Sequence, residues 1–163
     1  FRENIGTTIN PGFSNFSAQD SSGILQKMKL WDTSGQERYQ SLSKIFFREA
    51  DVAVICFDAS ENGSIESTKP WIDLVLTESP SCQLIIAGTK EDLLNENQTS
   101  KILLEADSFF EKYNPNDIII TSSKTNRNID LLGTSIANCM SDKSYTRRGV
   151  IIDFKDTDKN SCC

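Results

Sequence analysis

Apolar and polar residues recur along the chain with two periods. Residues 23–31, GILQKMKLW, alternate: Ile24, Met28 and Leu30 share one face, Lys27, Lys29 and Trp31 the other, the pattern of a half-buried strand. Asp51–Ala59, Cys82–Thr89 and Asp117–Ser122 are short, continuous apolar runs rich in Val and Ile, which predicts buried parallel strands. Helical spacing fills the intervals. In residues 64–79 it brings Ile65, Trp71, Ile72, Val75 and Leu76 near one face, with Pro70 confined to the first turn. In residues 99–113 Leu103, Ala106, Phe109, Phe110 and Tyr113 form a stripe that Thr99 can cap. In residues 128–140 Ile129, Leu132, Ile136 and Met140 point inward, with Gly133 weakening the helix. Strands alternating with helices predict an α/β fold, a mostly parallel sheet with helices on both faces. One domain is expected over residues 1–141. Residues 142–163 are polar and irregular apart from the apolar VIIDF at Val150–Phe154, and are expected to be a flexible tail.

Composition narrows the function classes. With 163 residues, 37% hydrophobic and 25% charged, the chain suits one globular domain. A net charge of −6 argues against nucleic acid, which calls for a basic face. The chain has no apolar run of about 18 residues and no charged start leading into an apolar stretch, so a cytoplasmic protein is expected. The absence of histidine excludes a histidine-dependent triad, and the five cysteines lack metal-ligand spacing.

The candidate chemistry lies at the carboxyl ends of the predicted strands, where such folds bind ligands. Asp32 ends the alternating strand and is followed by Thr33, Ser34, Gly35, Gln36 and Glu37. An acid there can hold Mg²⁺ through water, a glycine lets a backbone N–H approach a phosphate oxygen, and a glutamine can orient an attacking water. The segment WDTSGQERYQSL resembles switch II of Ras-like small GTPases, and Trp31 with FFREA at Phe46–Ala50 resembles the Rab branch.

The resemblance implies further roles. TTINPGF at Thr7–Phe13 is similar to switch I: Thr8 would bind Mg²⁺ together with Asp32, and Gly35 would sense the γ-phosphate with it. Asn10, Pro11 and Gly12 depart from the usual pattern there. GTKED at Gly88–Asp92 resembles the guanine-recognising NKxD loop, with Thr89 in place of asparagine, Lys90 over the base and Asp92 accepting from the guanine N1–H and amine. TSSK at Thr121–Lys124 resembles the SAK loop, which adds Ser122, Ser123 and Lys124 to the nucleotide-binding set. Gln36 would be the catalytic residue, and Phe13, Trp31 and Phe46 an effector-binding triad. The terminal Cys162 and Cys163 resemble a double geranylgeranylation site.

The resemblance therefore implies a monomeric GTP hydrolase with GTP or GDP and Mg²⁺ as cofactors, acting as a switch in vesicle-mediated traffic. Its implied partners are the Rab escort protein, geranylgeranyl transferase, an exchange factor, a GTPase-activating protein, effectors, and endomembranes reached by the lipid anchor from the cytosol. It also implies a central first strand and a G-x-x-x-x-G-K-S/T loop ahead of switch I. The sequence contains no such motif and opens at Phe1, so an incomplete N-terminus lacking that strand and the first helix is expected. The alternative is a nucleotide-free interaction module.

Overall fold

The structure is a computed structural model that describes residues 12–33, 47–48 and 50–141. Its first element is a hairpin of β1 (Gly12–Gln19) and β2 (Leu25–Asp32), antiparallel, with Phe13 opposite Trp31 and Phe16 opposite Met28. Asp20 folds the chain back: its Oδ1 accepts the backbone N–H groups of Ser22 and Ile24 at 2.9 Å each. Gly23 takes the left-handed conformation the turn needs, at φ 81°. Strand β1 was not anticipated, because GFSNFSAQ buries little and its alternation is mostly polar.

The other strands behave as their apolar runs predict. β3 (Val52–Asp58), β4 (Gln83–Thr89) and β5 (Asp117–Ile120) form a parallel sheet in the order β3-β4-β5. Helices α1 (Lys69–Glu78) and α2 (Glu96–Phe110) serve one face. That core holds Ile55, Phe57, Ile72, Val75, Leu84, Ile86, Ala106, Phe110 and Ile120. Each large side chain buried there contributes about 1.5–3 kcal/mol. α3 (Ile129–Ser141) covers the opposite face, where Ile85, Ile136 and Cys139 pack with Met28, Val52, Val54 and Leu132. Helices thus lie on both faces, as expected for the α/β class.

α3 touches all five strands and so spans both sheets. No ladder joins β2 to β3 among those residues.

Two local expectations are corrected. The cap of α2 is Asn95, not Thr99: the Asn95 side chain accepts from Gln98 N at 3.0 Å, and the Gln98 side chain accepts from Asn95 N at 2.9 Å. This reciprocal pair satisfies two otherwise orphaned donors, so the helix starts a turn earlier. Leu103 faces solvent and Ile102 takes its place against the core, a shift of one position around the helix. At Gly133 a Cβ would lie 3.2 Å from Phe16 Cζ and 3.4 Å from Ala18 Cβ, so α3 approaches the hairpin closely there.

Candidate functional site

The carboxyl ends of β3, β4 and β5 converge on one cluster of loops. Register places Asp58 beside Thr89 and Gly88 beside Ile120. Thr89 Oγ1 donates to Phe57 O at 2.9 Å, so the hydroxyl that stands in the asparagine position stitches β4 to β3. Lys90 then turns left-handed at φ 62°, a conformation uncommon for a long side chain and concentrated at functional sites. This turn opens a single 3₁₀ turn, Glu91–Leu93, that carries Asp92.

Hydrogen bonds tie this turn to the loop after β5. Glu91 N donates to Thr121 O at 3.0 Å, and Ser122 N to Arg127 O at 3.0 Å. Ser122 is fully buried, and its Oγ donates to Asp92 Oδ1 at 2.5 Å while accepting from Thr125 N at 3.2 Å. Arg127 Nη1 meets Glu91 Oε1 at 3.2 Å. Lys124 Nζ stands 3.8 Å from Asp92 Oδ2, too far for a hydrogen bond. One carboxylate oxygen of Asp92 is therefore fixed by a buried hydroxyl, and the other meets Lys124 only loosely. A buried serine that orients an acid at a strand end is a costly feature in a plain turn, because its hydroxyl must be desolvated and satisfied.

Lys90 Nζ lies 2.6 Å from Asp58 Oδ2. That hydrogen bond holds the Lys90 ammonium above its ordinary range. Burial pushes the Asp58 carboxyl up, but the hydrogen bonds from Lys90 and Ser60 outweigh it and leave the group below its ordinary range.

At the start of β1 and the end of β2, Phe13 and Trp31 form a tilted pair with ring centroids 5.2 Å apart. Both are exposed, at 60% and 43%, and the Lys29 ammonium lies 5.6 Å from the centre of the Phe13 ring. Exposed aromatics in contact are characteristic of docking surfaces and not of a core. Asp32 ends β2 beside them. Desolvation, and then the negative charge of Asp32, raise the Cys56 thiol of β3, which places the acid within electrostatic reach of that strand. No group of three or more His, Cys, Asp or Glu residues among the described residues is arranged to hold a metal.

Residues 1–142 match the family model of the Ras family. The chain belongs to the Ras family. Within it the chain falls in the Rab branch, being 30% identical over 139 residues to Ras-related protein Rab-5B of Plasmodium falciparum. It is 32% identical over 149 residues to GTP-binding protein ypt5 of Schizosaccharomyces pombe and 32% over 143 residues to Ras-related protein RABF2b of Arabidopsis thaliana. These matches cover 85%, 89% and 84% of this chain, and 65%, 69% and 70% of the three relatives.

The structure brings together Thr89, Lys90, Asp92, Ser122, Ser123 and Lys124 in one loop cluster of this Ras-family domain, and pairs Phe13 with Trp31 across the β1–β2 hairpin. Thr8, Gly35, Gln36, Phe46, Cys162 and Cys163 lie outside the described residues. Sequence reasoning missed Asp58, Glu91 and Arg127. Asp58 alone left a signal, as an acid ending an apolar strand in the same way as Asp32.

Proposed function

We propose that this chain forms the guanine-reading part of a Rab-type switch that binds and hydrolyses GTP and works in intracellular membrane traffic. The observation that carries the reading is the Asp92–Ser122 hydrogen bond at the ends of β4 and β5, which holds one carboxylate oxygen and leaves the other for a ligand. An acceptor carboxylate fits the N1–H and exocyclic amine of guanine. Adenine offers no such donor pair, and would leave the remaining oxygen of the half-buried acid without its donors. Lys90 and Lys124 supply apolar stems for the two sides of a flat base.

In this reading Thr8 and Asp32 hold Mg²⁺, which when bound neutralises charge on the phosphate oxygens. Gln36 orients the attacking water. A GTPase-activating protein would add about 10³- to 10⁵-fold in rate. Phe13 and Trp31, together with Phe46, form the effector surface. Cys162 and Cys163 take two prenyl groups, because a single chain anchors only marginally. An intact mass from a membrane fraction that lacks both groups would overturn the anchoring.

The base-reading test is binding of fluorescent GDP and ADP to the protein supplied with the strand and G-x-x-x-x-G-K-S/T loop that the resemblance implies ahead of switch I, and to its Asp92→Asn variant. GDP is expected to bind and ADP not. The variant, whose amide can donate where the acid could only accept, should lose about 10²-fold or more for GDP and gain for xanthosine diphosphate. Equal binding of GDP and ADP, or no GDP binding at all, would sink the reading and leave an interaction module in its place.

A further inference from the structure

Asp58 ends β3 directly beside the loop that carries Lys90 and Asp92. Its two oxygens face different neighbours. Oδ1 accepts from Ser60 N at 2.9 Å and Ser60 Oγ at 2.7 Å, which fixes the turn leaving β3. Oδ2 meets Lys90 Nζ at 2.6 Å. The Asp58 side chain is 19% exposed and that of Lys90 59%, so the acid is the anchored member and the lysine the one being held. The Lys90 backbone is fixed as well, by its left-handed φ and by the hydrogen bond from Leu93 N to its carbonyl at 3.0 Å. What remains free in such a residue is the long stem, whose rotamer entropy is among the largest of any side chain.

We propose that Asp58 is a positioning residue of the guanine site: its ion pair holds the Lys90 stem at the edge of the base pocket before nucleotide arrives, and slows nucleotide release afterwards. The proposal rests on the reading of Lys90 and Asp92 as the base-recognition loop. Ordering a flexible side chain in the unliganded protein removes that entropic cost from binding. The other acids facing Lys90 are Glu61, past the end of β3, and Asp92 on its own turn, and both act on it more weakly than Asp58.

The test is the dissociation rate of fluorescent GDP from the same loop-supplied protein used for the base-reading test, as parent, and from its Asp58→Asn, Asp58→Glu, Lys90→Met and Asp58→Asn/Lys90→Met double variants. Asparagine keeps an oxygen for Ser60 but turns an N–H group toward the ammonium, so the turn survives and the ion pair does not. Asp58→Asn is expected to release GDP about three- to tenfold faster. Asp58→Glu should recover most of that loss. The asparagine change should add little once Lys90 is methionine. Titration of the Lys90 amine, followed by NMR on nucleotide-free protein, should fall toward the ordinary lysine value in Asp58→Asn.

An unchanged release rate in Asp58→Asn would overturn the proposal. So would an effect of equal size in the Lys90→Met background, because Asp58 would then act only through the Ser60 turn. If the parent chain binds no GDP while the Lys90 titration still responds to Asp58→Asn, the ion pair stands. The base-site reading then falls and takes the proposal with it.

Discussion

Gly88 and Ser122 show how little slack the loop cluster has. A Cβ on Gly88 would come within 2.6 Å of Ile120 Cδ1 and 2.9 Å of Phe57 Cζ, both in the buried core beneath the cluster. Gly88→Ala is therefore expected to destabilise the domain by about 1–3 kcal/mol through overpacking, read from the urea midpoint. Ser122→Ala leaves Asp92 Oδ1 and Thr125 N without the partner they share. It should cost about 1–3 kcal/mol and weaken GDP binding together with stability. Asp92, Lys90 and Ser122 were legible from the sequence because their motifs fall in order after apolar strands. Glu91 was not, and Asp58 showed only as an acid ending an apolar strand: each works through a residue far along the chain, Arg127 and Lys90, and spacing along one strand carries no trace of such a partner.

Among the elements, helix α2 separates what periodicity can and cannot tell. Its core face was readable to within one position. Its start was not, because Thr99 and Asn95 are both competent caps and only the glutamine three residues after Asn95 distinguishes them. Asn95→Ala should cost about 1 kcal/mol in thermal or urea unfolding, whereas Thr99→Ala should be close to neutral. Strand β1, and with it the hairpin, escaped notice for a different reason: it lies largely outside the core, and its turn is held by Asp20. Hydrogen bonds from Ser141 first, then Ile24, Gln26 and Ser22, hold the Asp20 carboxyl below its ordinary range against a smaller opposing effect of burial. A carboxyl with a depressed folded pKa stabilises above its unfolded value, about 3.9, and loses that contribution as pH falls through the folded value. Asp20→Asn should accordingly flatten the acid limb of the stability profile, measured by denaturation between about pH 5 and 2.

At the scale of the molecule, the two sheets differ in cover. The residues of β4 are buried nearly throughout, while those of β1 and β2 are mostly exposed. Native-state hydrogen exchange should therefore show residues 83–89 as the slowest segment and the hairpin opening well before them; equal protection would mean that the hairpin belongs to the same cooperative unit.

Helix α3 runs from the loop cluster, where Asn128 Nδ2 donates to Ile120 O at 2.7 Å, to the far end of the sheet, where Gln83 Nε2 donates to Cys139 O at 3.0 Å. At that far end Ser141 Oγ accepts from Gln26 Nε2 at 2.8 Å and donates to Asp20. Thirteen residues of helix amount to about 20 Å, so Ser141 lies at the pole opposite the loops of Lys90 and Asp92. Ser141, with the hairpin turn it ties through Asp20, is thus the foot of the described residues, and the loops of Lys90 and Asp92 are their crown.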